Sequence, residues 1–163
     1  MKKLIIMLSM ALIVAVGLIL PSALVTAQGY QNSCIGAGTI GMNRDPRVVF
    51  ACNLQSNVDQ LPNILNVNWG GDRFNLDVLT AVQFSDDPTI DPRPPRAGAD
   101  TVHGWGVGKY NGVDGYQAEF IFTDAGEPGR VDSAWMKITD LNGDTVMEYS
   151  GLLHFGNINM LNA

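Results

Sequence analysis

Residues 116–123 read Tyr-Gln-Ala-Glu-Phe-Ile-Phe-Thr, and this stretch shows the clearest periodicity in the chain. Apolar residues recur at every second position with polar residues between them, and Ile121 is the one exception. Alternation of this kind is typical of a half-buried β-strand, because successive side chains of a strand point to opposite faces. The face predicted to point into the core consists of Tyr116, Ala118, Phe120 and Phe122, and the opposite face carries Gln117, Glu119 and Thr123.

Similar short runs, separated by Gly, Pro, Asn and Asp, fill the chain from residue 28 onward, and helical periodicity is almost absent. Residues 73–84 have a second apolar face, which consists of Phe74, Leu76, Val78, Val82 and Phe84. Further strands are predicted at residues 35–42, 47–55, 64–69, 102–110, 134–140 and 146–155. About eight strands at this spacing predict an all-β fold, an antiparallel two-sheet β-sandwich.

The two carboxyl-terminal predicted strands form a hairpin around Asn142-Gly143. This dipeptide favours a two-residue type I′ turn, because both central residues of that turn need positive φ. A two-residue loop determines which residues face each other across the hairpin. The predicted partners are Lys137 with Glu148, Met136 with Tyr149, and Ala134 with Gly151.

The stretch from Ser85 to Asp100 holds four of the eight prolines. Proline cannot donate a hydrogen bond to a neighbouring strand, so this stretch is predicted to be a long surface loop.

The amino-terminal segment has the parts of a secretory signal peptide. Lys2 and Lys3 form a short basic region, Leu4–Leu20 is an apolar stretch of 17 residues, and Val25-Thr26-Ala27 resembles a cleavage site. The alternative is an uncleaved membrane anchor, because 17 apolar residues approach the length of a spanning helix. We expect a signal peptide over residues 1–27, one domain over residues 28–163, and a secreted, extracellular or cell-envelope location.

Charge excludes one large class of partners. Without residues 1–27 the chain keeps 8 basic and 16 acidic side chains, which gives a net charge of −8. Proteins that bind the phosphate backbone of nucleic acids need clustered Lys and Arg. Nucleic acid is therefore not an expected partner, and contact with a membrane is expected only through the signal segment if it is retained.

Cys34 and Cys52 are the only cysteines, and an even number in an exported chain predicts a disulfide. If their strands pair as an antiparallel hairpin, one register places the two cysteines directly opposite each other. A four-residue loop at residues 43–46 would instead place Cys34 opposite Gln55, and a β-bulge could reconcile the two arrangements.

Three carboxylates lie close together in residues 123–132, on a loop bent by glycine: Asp124, Glu127 and Asp132. Hard oxygen ligands at this density suit Ca²⁺, the one cofactor that the sequence suggests. The alternative is a solvated acidic loop with Arg130 as its counter-charge. Residues 140–144 also resemble a calcium loop, but they lack the length and final Glu of an EF-hand, so a hairpin turn is the better assignment.

Signals for catalysis are sparse. Residues 36–41 match G-x-G-x-x-G, but no strand-to-helix context surrounds them, so a glycine-rich strand is predicted instead of a nucleotide site. His103 and His154 have no spacing that indicates a catalytic triad. No catalytic residue is predicted. The tryptophans fall on predicted strands, where they could pack in the core or stack on sugar rings: Trp69, Trp105 and Trp135.

Several short strings carry a family resemblance over residues 34 to about 157. They are GAGTI at 36–40, VFACNL at 49–54, NWGGDRF at 68–74, SDDP at 85–88, PP at 94–95, GKYNGV at 108–113, FTDAGEPG at 122–129, SG at 150–151 and GN at 156–157. With these strings the chain resembles a post-choice-of-anchor type β domain of secreted bacterial proteins. The cysteine pair and the Asn-rich ending depart from that pattern. The resemblance implies an extracellular β-sandwich module without established enzyme activity.

The expected function is a secreted or cell-surface, non-enzymatic interaction or structural module, whose partner is an extracellular protein or a glycan. The alternative is a calcium-assisted carbohydrate-binding module that uses the acidic loops and one or more tryptophans. A small extracellular hydrolase is a third hypothesis, with little sequence support.

Overall fold

The structure, a computed structural model, describes residues 32–41, 47–90, 98–126 and 131–162. The predicted signal peptide and Glu127 lie outside these residues. Nine strands form the described part: β1 (Asn32–Ile40), β2 (Val48–Gln55), β3 (Ile64–Trp69), β4 (Asp72–Ser85), β5 (Thr101–Tyr110), β6 (Val113–Thr123), β7 (Ser133–Thr139), β8 (Thr145–Leu152) and β9 (Phe155–Asn162). Within these ranges we find no helix of the length and apolarity that crossing a membrane requires.

All nine strands belong to one antiparallel sheet, in the order β8-β7-β6-β5-β4-β3-β2-β1-β9. The all-β, antiparallel prediction is confirmed, and the strands form one curled sheet where a two-sheet sandwich was predicted. Each strand from β1 to β7 pairs with the next one in sequence, and β9 pairs with β1, so all nine strands stay in the same sheet. Strand spacing does not distinguish these arrangements, because short strands separated by turns occur in both sandwiches and barrels.

The sheet curls into a half-barrel whose concave side encloses the core. Phe50 on β2 and Phe122 on β6 stack with their ring centroids 4.9 Å apart. Three strands separate β2 from β6, and in a flat sheet the two strands would lie about 19 Å apart. The contact between these rings is therefore possible only because the intervening strands bend around them.

The two edges of the sheet converge at one corner. β8 and β9 are the opposite edge strands, yet only Leu153 and His154 connect them. Three Cα steps of 3.80 Å allow a separation of at most about 11 Å. The Leu153 amide donates to the carbonyl of Asp132 (2.9 Å), and the His154 amide donates to the carbonyl of Thr39 (2.8 Å). This short link thus joins the chain before β7 to β1.

Glycines on β5 let the core rings approach the sheet closely. Gly104, Gly106 and Gly108 are buried and point inward. A Cβ atom placed on Gly104 would lie 2.3 Å from the Phe120 ring, and one on Gly108 would lie 2.1 Å from the backbone oxygen of Asn75. The predicted inward face of residues 116–123 is confirmed, because Ala118, Phe120 and Phe122 are buried.

The predicted apolar face of residues 73–84 is wrong in part. Register shifts lie between Leu76 and Val78 and between Leu79 and Ala81. A β-bulge adds one residue to a strand and changes which side chains face inward. As a result Val78 is 58% exposed, and Leu79, which was not assigned to this face, is buried.

The register of the β7–β8 hairpin is confirmed, but its turn is not type I′. Lys137 pairs with Glu148, Met136 with Tyr149, and Ala134 with Gly151. Residues 140–144 connect the strands, and in this turn Gly143 has positive φ (86°) whereas Asn142 does not. A register shift after Ile138 compensates for the longer loop, so the partners predicted from a two-residue turn remain correct.

Candidate functional site

The acidic loop after β6 contacts the edge of β9. Asp132 is fully buried, and its carboxylate accepts hydrogen bonds from the amides of Ala125 (3.0 Å) and Ile158 (2.8 Å). Asp124 accepts from the amides of Gly126 (3.0 Å) and Met160 (2.9 Å). Ile158 and Met160 belong to β9, whose other edge pairs with β1. The two carboxylates therefore take the place of a neighbouring strand along part of this edge.

This arrangement bears on the calcium prediction without testing it. The third predicted ligand, Glu127, lies outside the described residues. Within the portion of the chain that the structure describes, no group of three His, Cys, Asp or Glu side chains is positioned to hold a metal ion. The site formed by Asp124, Glu127 and Asp132 stays a prediction.

Residues 140–144 form a hairpin turn, as the sequence indicated. The Asp140 carboxylate accepts hydrogen bonds from the amides of Asn142 (2.8 Å) and Asp144 (2.9 Å). These bonds, chiefly the one from Asp144, lower the pKa of Asp140 below its usual value. The carboxylate thus stabilises the turn through its negative charge.

Cys34 and Cys52 are close together but form no disulfide. Their Sγ atoms lie 4.0 Å apart, and both thiols are free. Cys34 pairs with Leu54, and Cys52 pairs with Gly36. Both registers considered for this hairpin are therefore wrong, because the two cysteines are diagonal neighbours across β1 and β2. A disulfide needs its sulfur atoms about 2.05 Å apart.

The surroundings of Cys34 favour the neutral thiol. Its hydrogen bond with Cys52 and its burial raise the pKa of the Cys34 thiol well above the usual value, and the carboxylates of Asp124 and Asp132 raise it further. Thiolates are the reactive form of cysteine, so this environment suppresses reactivity. The pair is therefore part of the core and not a reactive centre.

The three tryptophans occupy two different environments. Trp69 is buried and stacks on Tyr110 with centroids 5.7 Å apart, so it offers little surface to a ligand. Trp105 and Trp135 are half-buried on the outer side of the sheet, because they alternate with buried, inward-facing residues on β5 and β7. The outward-facing side chains around these two indoles form the candidate site.

We call this surface the tryptophan face, and the strand register determines its layout. One row runs across β5, β6, β7 and β8 through Trp105, Glu119, Lys137 and Glu148. The adjacent row runs across the same strands through His103, Ile121, Trp135 and Ser150. The two indoles therefore lie in different rows, two strands apart, with polar and charged side chains next to both.

Contacts within the tryptophan face hold its side chains in place. His103 Nε2 lies 2.8 Å from Glu119 Oε1, and the imidazole ring packs against Trp105 with centroids 3.8 Å apart. On the other side, Trp135 Nε1 donates to Glu148 Oε1 at 3.2 Å. Each indole is thus oriented by a neighbouring side chain, which reduces the conformational freedom that binding would otherwise have to restrict.

Two shallow depressions lie beside the indoles. The larger, about 280 Å³, is lined by Thr80, Trp105, Gly106, Val107, Gln117, Ala118, Glu119, Lys137 and Thr139. The smaller, about 170 Å³, is lined by Trp135, Glu148, Tyr149 and Ser150. The larger one combines an aromatic surface with hydroxyl, amide and charged groups, and the smaller one combines aromatic surface with a hydroxyl and a carboxylate, so both can receive a ligand that is partly apolar and rich in hydrogen-bonding groups.

Lys137 lies in the middle of this surface without an ion pair. The register places it between Glu119 and Glu148. The ion pairs among the described residues join His103 with Glu119 and Lys109 with Asp77 and Asp114, and none includes Lys137. Its ammonium group is thus available as a hydrogen-bond donor.

Sequence reasoning identified the indoles but not their neighbours. The missed residues are His103, Gln117, Glu119, Lys137 and Glu148. The alternation of residues 116–123 had already assigned Gln117 and Glu119 to the face opposite the core. Combining that alternation with the β7–β8 register would have placed Glu119, Lys137 and Glu148 on one surface. The other histidine, His154, is exposed in the link before β9.

A scan against protein-family models, a search of curated proteins and a search of solved structures each found no match for this chain.

Proposed function

We propose that the protein is an extracellular, non-enzymatic binding module whose tryptophan face binds carbohydrate. The observation that carries this proposal is the pair of half-buried, outward-facing indoles of Trp105 and Trp135, with a polar depression beside each. An indole offers a flat apolar surface with a polar edge, which suits a sugar ring with its apolar face and its peripheral hydroxyl groups. The secreted location and the resemblance to a post-choice-of-anchor type domain stay predictions consistent with this role.

The proposal includes no catalytic step. His103 and Glu119 form a histidine–carboxylate pair, which could in principle assist hydrolysis. Such chemistry also needs a nucleophile or an activated water beside the pair. Among the described residues, no serine, threonine or cysteine side chain is hydrogen bonded to His103. The orientation of Trp105 is therefore the better-supported role for this pair.

The test is a glycan array followed by calorimetric titration of the hits, with protein that lacks residues 1–27. Trp105→Ala and Trp135→Ala should each weaken binding by about tenfold or more, equivalent to about 1.4 kcal/mol. Val49→Ala is the matched control, because Val49 is an exposed residue on the outer side of β2, away from the tryptophan face. Binding that survives both tryptophan substitutions would contradict the proposal. The absence of binding to any glycan on the array would also contradict it.

The same glycan titrations, repeated in EDTA, test whether binding at the tryptophan face depends on calcium. We expect EDTA to leave glycan binding unchanged, because the Asp124 and Asp132 carboxylates already accept backbone amides. Thermal melts with Ca²⁺ and with EDTA test the loop itself, since a ligand that binds only the folded state raises Tm. A Ca²⁺-dependent rise would show that the folded protein binds calcium, and a loss of glycan binding in EDTA would make calcium part of the function.

A further inference from the structure

We infer that the ligand of the tryptophan face is an uncharged oligosaccharide of at least three sugar residues, lying diagonally across β5, β6 and β7. This inference rests on the proposed function and specifies the class of carbohydrate.

The positions of the indoles determine the minimum length of the ligand. Trp105 and Trp135 lie two strands apart, and Trp135 is also displaced along β7 by two residues from the partner row of Trp105. With neighbouring strands 4.7–4.9 Å apart and about 3.4 Å per residue, the two Cα atoms are separated by roughly 12 Å. One pyranose ring cannot contact both indoles, and two rings would leave the intervening surface of β6 uncovered. A trisaccharide can place one ring on each indole and one ring between them.

The surface between the indoles suits the middle of such a chain. Glu119 and Ile121 lie on β6, between the two tryptophan-bearing strands. Ile121 offers an apolar contact for a ring face, and Glu119 can accept hydrogen bonds from hydroxyl groups. Lys137 lies on the other side of Glu119 and makes no ion pair with any residue that the structure describes, so its ammonium group can donate to a hydroxyl or ring oxygen.

The local charge excludes an acidic saccharide. Lys137 is flanked by Glu119 and Glu148, so the carboxylates outnumber the ammonium group on this row. The chain as a whole is also acidic, with a formal net charge of −6 before removal of any segment. Both the local and the overall field repel the carboxylates or sulfates of an acidic glycan. A neutral saccharide is not repelled. Its hydroxyl groups can donate charge-assisted hydrogen bonds to the carboxylates of Glu119 and Glu148.

The experiment is a calorimetric length series. The probes are linear β-1,4- and β-1,3-linked glucose oligomers of one to six residues, with uronate oligomers of matched length. We expect affinity to rise by about tenfold from the disaccharide to the tetrasaccharide, equivalent to about 1.4 kcal/mol, and then to level off. Trp135→Ala should abolish this rise but keep the weak binding of short oligomers. Uronate oligomers should bind more weakly, and the difference should shrink at high salt.

A spectroscopic measurement on the unmutated protein covers the case in which a tryptophan variant fails to fold. The three indole N–H signals can be followed by ¹H–¹⁵N NMR during titration with the neutral hexasaccharide. Trp105 and Trp135 should both shift, whereas the buried Trp69 serves as an internal control and should not. With a disaccharide, only one of the two outer indoles should shift strongly.

The outcomes distinguish the inference from the proposed function. If no oligosaccharide binds at all, the proposed function fails. If neutral oligomers bind without dependence on length, or if uronate oligomers bind more tightly, the inference is overturned while carbohydrate binding stands. A shift of only one outer indole with the hexasaccharide would also overturn it.

Discussion

Among single residues, Asp132 makes the most consequential contacts, because a fully buried carboxylate connects the acidic loop to β9. Asp132→Asn replaces one acceptor oxygen by an amide group that faces a backbone N–H and cannot accept from it. We expect a loss of roughly 1–3 kcal/mol in the free energy of unfolding, the usual cost of an unsatisfied buried group. Chemical denaturation of the variant and the unmodified protein measures this difference in the free energy of unfolding. Asp59→Asn, at an exposed position, is the control, and equal stability of the two variants would contradict the assigned role.

The thiols of Cys34 and Cys52 should be protected in the folded protein. Both are buried, and the pKa of Cys34 is raised. Iodoacetamide should therefore label neither cysteine in the native state and both in urea, as mass spectrometry can show. A cysteine introduced at the exposed Val49 is the accessible control. Rapid native labelling would contradict the structure, and a native mass lower by two hydrogens would show a disulfide.

The same pKa shift makes stability depend on pH in the alkaline range. Above the ordinary thiol pKa of 9.0, the unfolded Cys34 loses its proton while the folded one retains it. The folded state then binds more protons than the unfolded state, so the free energy of unfolding falls as pH rises through this window. Cys34→Ala should show a smaller decline between pH 8 and the raised pKa than the unmodified protein. Parallel declines would indicate other groups as the cause.

Among the elements, β5 depends on its inward glycines for contact with the core. A Cβ at Gly108 would meet the backbone of Asn75 at 2.1 Å, whereas one at Gly151 on β8 would have only an ordinary 4.0 Å contact with Ile40. Gly108→Ala should therefore destabilise by about 1–3 kcal/mol or more, as overpacking does, and Gly151→Ala should be nearly neutral. Thermal melts of the two variants provide the comparison, and equal Tm values would show that β5 can move away from β4.

Turn chemistry explains which features of the strands were predictable. The dipeptide Asn142-Gly143 predicts a type I′ turn, but the matching geometry occurs at Asn111-Gly112, where both residues have positive φ (50° and 85°). The same dipeptide thus forms two different turns, because the length of the loop around it differs. The β7–β8 register was nevertheless correct, since a register shift compensated for the longer loop. β-Bulges of this kind have no clear sequence signature. For the same reason the prediction that Val78 faces inward is wrong.

At the scale of the whole molecule, β9 completes the half-barrel. It pairs with β1 along eight residues and contributes Ile158 and Met160 to the core. A chain that stops after Leu152 should therefore lose its cooperative thermal transition, because β1 is left with one free edge and the core is opened. A chain that stops after Met160 keeps both core residues and should retain that transition at a lower Tm. A folded protein without β9 would refute this role.

The strand β9 is not predictable from the sequence as a separate element, for a physical reason. Residues 155–162 have only a short buried alternation, Ile158 and Met160 on either side of Asn159, so no strong period-two signal arises. The pairing of β9 with β1 joins distant parts of the chain, and such non-local contacts are invisible to local patterns. The strands with long alternation, and hence the all-β class, were predictable. The closure of the sheet and the grouping of side chains on the tryptophan face depend on register across several strands.

The pairing of β1 with β9 also has a consequence for the order in which the molecule can assemble. Of the described strands the ribosome releases β1 first, and β2 can join it at once, but the partner for its other edge is β9, the last of the described strands. Until β9 is available, the β1–β2 hairpin keeps one edge of β1 unpaired. Closing the long loop between β1 and β9 has an entropic cost, which slows the pairing of these two strands. The half-barrel can therefore close only when all nine described strands are present, so closure is the step that joins the two ends of the described sheet.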